Sequence, residues 1–266
     1  MVEWVNSRLV FCKSNNMCLL SFAWQPDTDT PLTLVSNRDE FHKRATAPSD
    51  FWEDHPELLA GKDLEAGGTW MGVTRHGRFA ALTNVRQLPS PYQGQVSRGA
   101  LVKDYLVGRI TPEHYLKQIV TSDYDGFNLI VGDRTQCWYL GNRPLDSKPK
   151  QLHAGLYGLS NAQLNTPWPK TEQAKNTLKD WLKQKPTAQR PLYGLLHSQS
   201  KYDTPLLPKT GIGEEWESLL SSPFIVSPEY GTRACTGLLI RRGTIHWQES
   251  TMSPEGLEIL QKQYSF

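Results

Sequence analysis

The sequence predicts an α+β fold of largely antiparallel sheets with helices packed outside them. Three observations carry this prediction. Short runs rich in β-branched and aromatic residues come as hairpins, helical stretches cluster between the early and late hairpins, and 266 residues suit one layered unit with a single large core.

The elements follow in order. Residues 17–24 and 32–36 flank a turn-rich stretch and form a first hairpin. Residues 37–61 hold Pro, Asp and His without a clean period and are expected to be an ordered loop. Gly67-Gly68 leads into a second hairpin, whose His76-Gly77 turn supplies the positive φ that tight turns favour. Residues 98–107 and 111–121 are expected as helices, the second with Thr111 as N-cap and Pro112 at the first helical position. A third hairpin spans 127–140, followed by the segment 156–161. Leu178, Trp181 and Leu182 give 170–185 an apolar helical face, and 191–197 is a short helix. The Pro- and Gly-rich stretch 201–223 is expected to be a long loop of the kind that often forms lids, with one helical turn at 214–220. A last hairpin at 232–249 and a closing helix at 254–264 complete the chain.

Composition narrows the function. Apolar residues make up 38% and charged residues 21%, and nine Trp with ten Tyr suggest a pocket or interface besides the core. Against 27 acidic residues stand 29 Lys and Arg, with no basic run longer than Arg241-Arg242, so nucleic acid is not expected as a partner. The four cysteines (12, 18, 137 and 235) form no C-x-x-C pair, which argues against a disulfide framework or zinc site and for a reducing cytoplasm. Residues 1–16 lack an export signal and are expected to be an N-terminal extension outside the native fold, with 17–266 as one domain. No stretch reaches the roughly 20 apolar residues of a transmembrane helix.

The chemistry centres on Met17-Cys18. If translation begins at Met17, removing that Met leaves Cys18 at the amino terminus. Its α-amine, with a pKa near 7.7–8.0, could then take the thiol proton without a histidine. The alternative is a small apolar residue opening a buried strand. Asn37-Arg38-Asp39-Glu40 follows the second predicted strand. Arg38 there could favour a Cys18 thiolate or hold a carboxylate, or the motif could be a surface turn with a local ion pair. Asn84, Asn161 and Arg233 are polar donors at strand boundaries, fit either to stabilise an oxyanion or to form ordinary turns and edges.

Taken together, these segments resemble the NRDE family, the transport and Golgi organisation protein 2 family. The resemblance runs from Met17 to near the carboxyl end through Ser-Asn-Arg-Asp-Glu-Phe (36–41), Gly-Gly-Thr-Trp-Met-Gly (67–72), Ala-Ala-Leu-Thr-Asn (80–84), Tyr-Gly-Leu-Ser-Asn (157–161) and Tyr-Gly-Thr-Arg (230–233). It implies an N-terminal-nucleophile hydrolase-like four-layer αββα sandwich. Within that superfamily, similarity to the cholylglycine-hydrolase branch implies Cys18 as nucleophile, Asn84 and Asn161 as oxyanion and orienting donors, and Arg233 as a cation beside the thiolate. Asn37, Asp39, Glu40 and Trp70 are expected to shape the binding site. The branch spaces its Arg and Asp three residues apart, a spacing held here by Asn37 and Glu40, so Arg38 takes the Arg role only with a one-residue slip.

The family's links to Golgi organisation, lipid homeostasis and haem trafficking imply a carrier of a hydrophobic or amphipathic metabolite, haem foremost. Such a carrier would make transient contact with haem donor or acceptor proteins and require no cofactor. The alternative is a cysteine amidohydrolase acting on linear amides. The seven histidines are scattered and mark no haem ligand.

Overall fold

In the computed structural model, residues 17–86, 94–184 and 191–266 are described; the expectation for residues 1–16 lies outside them. Among the described residues, thirteen strands form two antiparallel sheets.

The six-stranded sheet runs β10-β1-β2-β11-β12-β13 and the seven-stranded sheet runs β3 through β9 in sequence order. The first sheet is built from β1 (Met17–Trp24), β2 (Leu32–Phe41), β10 (Gly155–Leu159), β11 (Tyr230–Ile240), β12 (Ile245–Met252) and β13 (Glu258–Ser265). The second contains β3 (Thr46–Phe51), β4 (Leu58–Asp63), β5 (Met71–Thr74), β6 (Phe79–Asn84), β7 (Phe127–Gly132), β8 (Cys137–Gly141) and β9 (Lys150–Leu152).

Period-two alternation sets the layers. Leu20, Phe22, Trp24, Leu32 and Leu34 share one core with Val73, Phe79 and Ile130 of the facing sheet, whereas Leu19 and Val35 point away. Helix α1 (Arg98–Val107) and Leu116 of α2 (Pro112–Gln118) cover the outer face of the seven-stranded sheet. Ala174, Leu178 and Trp181 of α3 (Pro169–Lys183) pack on Leu19 and Val35, the outer face of the six-stranded sheet. Thr111 caps α2 by accepting from the His114 backbone N–H, and Gly77 has φ 86°, as the sequence predicts.

Two expectations are corrected. The segment 37–61 is mostly strand: β2 runs through the Asn-Arg-Asp-Glu motif to Phe41, and β3 pairs with β4 across a register shift between Ala47 and Asp50. The closing segment 254–264 is no helix, because residues from Glu258 pair with β12 as an edge strand. The stretch 201–223 holds the expected helical turn, as helix α4 (Glu214–Leu219). Its Glu217 joins Arg86, and Tyr202 donates to Gln173 on α3, so this stretch lies over the α3 side of the molecule.

Candidate functional site at Cys18

Both sheets contribute to a cleft of about 360 Å³ that holds Cys18, Arg38, Glu40, Trp70 and Asn84 on its walls. The register explains the grouping. Cys18 pairs with Arg38, and directly opposed residues of antiparallel strands point to the same face, here the one toward the second sheet. Along β2 the inward positions change from Leu32 and Leu34 to Ser36, Arg38 and Glu40, so the space between the sheets is apolar at one end and polar at the other.

Arg38 is 2% exposed, donates to Glu40 Oε2 at 3.3 Å and lies 4.3 Å over the Trp70 ring. A desolvated cation–π contact of this kind stabilises by roughly 2 kcal/mol. Trp70 is placed by Gly61, where a Cβ would overlap its ring, and by Gly68, where a Cβ would stand 2.6 Å from the Gly99 backbone. The Gly-Gly-Thr-Trp motif is therefore a close approach between the β5 entrance and α1. Glu40 also accepts the Phe41 backbone N–H at 2.8 Å, and burial raises its carboxyl above the usual range despite Arg38 beside it.

Cys18 is 4% exposed. Burial, with the negative charge of Asp39 next in importance, pushes its thiol from 9.0 up to about 12, although Arg38 pulls the other way. Its nitrogen is the amide that follows Met17. In this chain the sulfur is a neutral thiol without an amine base.

Arg233 occupies the point where β11 shifts register against β2, between Thr232 opposite Asp39 and Ala234 opposite Arg38. Such bulges re-aim side chains. Its guanidinium reaches the Arg44 carbonyl and Thr46 Oγ1, which Arg38 also contacts, and burial and the neighbouring Arg38 lower its pKa. Arg233 therefore fixes the segment that carries Arg44, behind the cleft wall.

The remaining candidates lie elsewhere. Asn37 points outward and donates to the carbonyls of Leu196 and Pro223, both at 2.9 Å. Asp39 also leaves the cleft: it accepts from Thr232 Oγ1 at 2.6 Å, and burial raises its carboxyl to about 6. Beneath it Lys170, lowered by burial to about 8, donates to the Leu220 carbonyl. Asn161 does not line the cleft; its amide donates to the Asn84 carbonyl at 3.0 Å and ties β10 to the end of β6.

Residues absent from the sequence prediction complete the cleft. Arg44 makes paired hydrogen bonds to Asp63 Oδ2 at 2.9 and 2.8 Å and an ion pair with Glu65 at 3.2 Å. The Arg98 guanidinium, lowered by burial to about 10, donates to the Gly126 carbonyl. Lys43 and Asp125 join the charged set, so among the described lining residues four cations stand with four carboxylates. Only Arg44's position just after the motif hinted at this group, and its partners come from distant strands. Among the described residues the cleft lining has no His or Met, and no group of three metal-ligating side chains occurs. No described helix is long and apolar enough to cross a membrane.

The family model described as Transport and Golgi organisation 2 matches residues 17–254. The Bos taurus Transport and Golgi organization protein 2 homolog is 34% identical, with 84% of this chain and 88% of the relative covered. The Homo sapiens homolog is 33% identical, over 91% and 95% respectively. The Drosophila melanogaster Transport and Golgi organization protein 2 is 28% identical, over 89% and 93%.

Proposed function

Because the chain belongs to the Transport and Golgi organisation 2 family, we propose that its Cys18 cleft binds and transfers a small amphipathic metabolite in a reducing, cytoplasmic compartment. The observation that carries this is the pairing of a charged, hydrogen-bonding cleft with a sulfur kept protonated at its wall. The walls are built to hold a ligand, and the thiol is not armed to attack it. The ligand's planar or apolar part lies against Trp70, Phe41 and Leu82, and its acidic group meets Arg38 and Lys43.

Haem belongs to this class as cargo. Its propionates find cations here, while its iron finds only the buried Cys18 sulfur among the lining residues described. The reading therefore places the affinity in ring stacking and propionate contacts rather than axial ligation. Haemin titration of the full chain, followed by the Soret band, tests it. Saturable binding that survives Cys18→Ala and weakens at least tenfold in Trp70→Ala is expected; an unsaturable titration, or one indifferent to Trp70, overturns it.

A second reading is favoured by Cys18, Arg38 and Asn84 sharing one cleft with Arg233 just behind it: an N-terminal-nucleophile type cysteine amidohydrolase. It requires a chain that begins at Cys18. The α-amine would take the thiol proton, the sulfur would form a thioester with release of the amine, and water would free the acid. Intact-mass measurement of the native protein and amine release from N-acyl amino acids test this reading together. A native mass that retains residues 1–16, or no release from the chain starting at Cys18, removes it.

A further inference from the structure

We propose a second ligand site, separate from the Cys18 cleft, that takes a ring compound carrying a phosphate group. It is the concavity of about 440 Å³ at the shared margin of the two sheets, where β8 passes through a turn into edge strand β9 and the chain then enters β10, the edge of the other sheet.

The floor is aromatic and aliphatic. Tyr139 and Tyr157 reach it from opposite sheets, and both pack against the edge of the inter-sheet core with Leu152 and Leu164. The two phenols are held in place. Tyr139 donates to Asn128 Oδ1 at 2.6 Å and accepts the Leu164 backbone N–H at 3.3 Å. Tyr157 donates to the His153 carbonyl at 2.8 Å and stacks on Phe22, with centroids 5.0 Å apart and planes at 20°. Two fixed rings approaching from different sheets suit a flat ligand, since rigid aromatics give contact area at little entropic cost.

The rim has one sign of charge. Lys148, Lys150, Arg143 and His153 line the concavity, and no carboxylate does among the described residues. Lys150 stands opposite Tyr139 in the β8–β9 register, so its ammonium rises from the same face as that ring. Lys148 and Lys150 are exposed and make no ion pair with a described carboxylate. The contrast with the Cys18 cleft is informative: there Arg38 and Arg44 pair with carboxylates, whereas here Lys148 and Lys150 are exposed on the rim. Gln151 and Gln163 add amide groups on the lining. A concave low-dielectric floor under the two lysine ammonium groups focuses the field on an incoming anion.

The size of the charge decides the class. A phosphate monoester carries more negative charge and more acceptor oxygens than a carboxylate, and so gains more from two neighbouring ammonium groups. The ring supplies what inorganic phosphate lacks, contact with Tyr139 and Tyr157.

The test is titration of the full chain with phenyl phosphate, with phenol and inorganic phosphate as separate arms, by calorimetry at low salt. Saturable phenyl phosphate binding is expected, at least tenfold tighter than either fragment. The double variant Lys148→Glu/Lys150→Glu, at exposed positions, should weaken it at least tenfold with an unchanged melting temperature, and Lys148→Gln/Lys150→Gln should fall between. Trp70→Ala in the other cleft should leave it unaltered. Equal binding by wild type and the charge-reversed variant, or inorganic phosphate binding as tightly as phenyl phosphate, overturns the proposal.

Discussion

The state of the Cys18 thiol is the most direct quantity to perturb. Moving it from 9.0 to about 12 removes roughly a thousandfold of thiolate at neutral pH, an effect of about 4 kcal/mol. A more basic thiolate is a better nucleophile; with a Brønsted slope near 0.4–0.5, a rise of about three in pKa returns roughly 20- to 30-fold. The net expectation is an alkylation rate at pH 7.5 about 30- to 50-fold below that of a cysteine peptide, before any steric hindrance. In a Cys12→Ser background iodoacetamide reports on this site, because Cys137 and Cys235 are fully buried. The rate should still be climbing at pH 10. Glu40→Gln should raise it and Arg38→Met lower it further, since Glu40 opposes the thiolate and Arg38 favours it. A rate within threefold of the peptide, levelling off below pH 10, would refute the electrostatic reasoning for the whole cleft.

Other outcomes are expected. Glu217→Ala takes away the carboxylate that the buried Arg86 contacts at 2.7 Å and the acceptor of Thr210; a loss of about 3–5 kcal/mol in urea unfolding is expected, largely recovered by Arg86→Met/Glu217→Leu. Gly61→Ala should displace Trp70 from Arg38, costing about 1–3 kcal/mol and weakening ligand binding, with Trp70 fluorescence shifting as its environment changes. Asp39 is raised from 3.8 to about 6 in the fold, so its contribution to stability is full below about pH 4 and is lost as pH rises through 6. Asp39→Asn should therefore gain on wild type between pH 4 and 7 in urea midpoints, and the opposite trend would contradict the burial of that carboxyl.

The hairpins were legible because both faces of β1, β5, β6 and β7 are buried and their sequences are rich in Val, Leu, Ile and Phe. The motif at 37–40 was misplaced for a physical reason. Asn, Arg, Asp and Glu are poor strand formers, and here they stay in a strand because each finds a partner on its own side of the sheet: Asn37 on Leu196, Asp39 on Thr232, and Arg38 with Glu40 in the cleft. The closing segment was misread as a helix: β13 is an exposed edge whose side chains show little alternation in burial. Its strand identity comes from pairing with β12, which local sequence does not encode. The cleft was half visible. Cys18, Arg38, Glu40, Asn84 and Trp70 line it together, whereas Asn161, Asn37 and Asp39 hold the scaffold, and Arg44 with Asp63 emerges only when β3 pairs with β4 and sets Thr46 opposite Asp63.

The change of inward residues along β2, hydrocarbon through Leu34 and hydrogen-bonding from Ser36, divides labour between two ends of one strand. Cohesion rests with the dry half, and the recognition proposed above with the moist half. Exchanging side chains at 38 and 40 would thus alter the polar end of the cleft while the hydrocarbon end of the hairpin keeps its grip on the facing sheet.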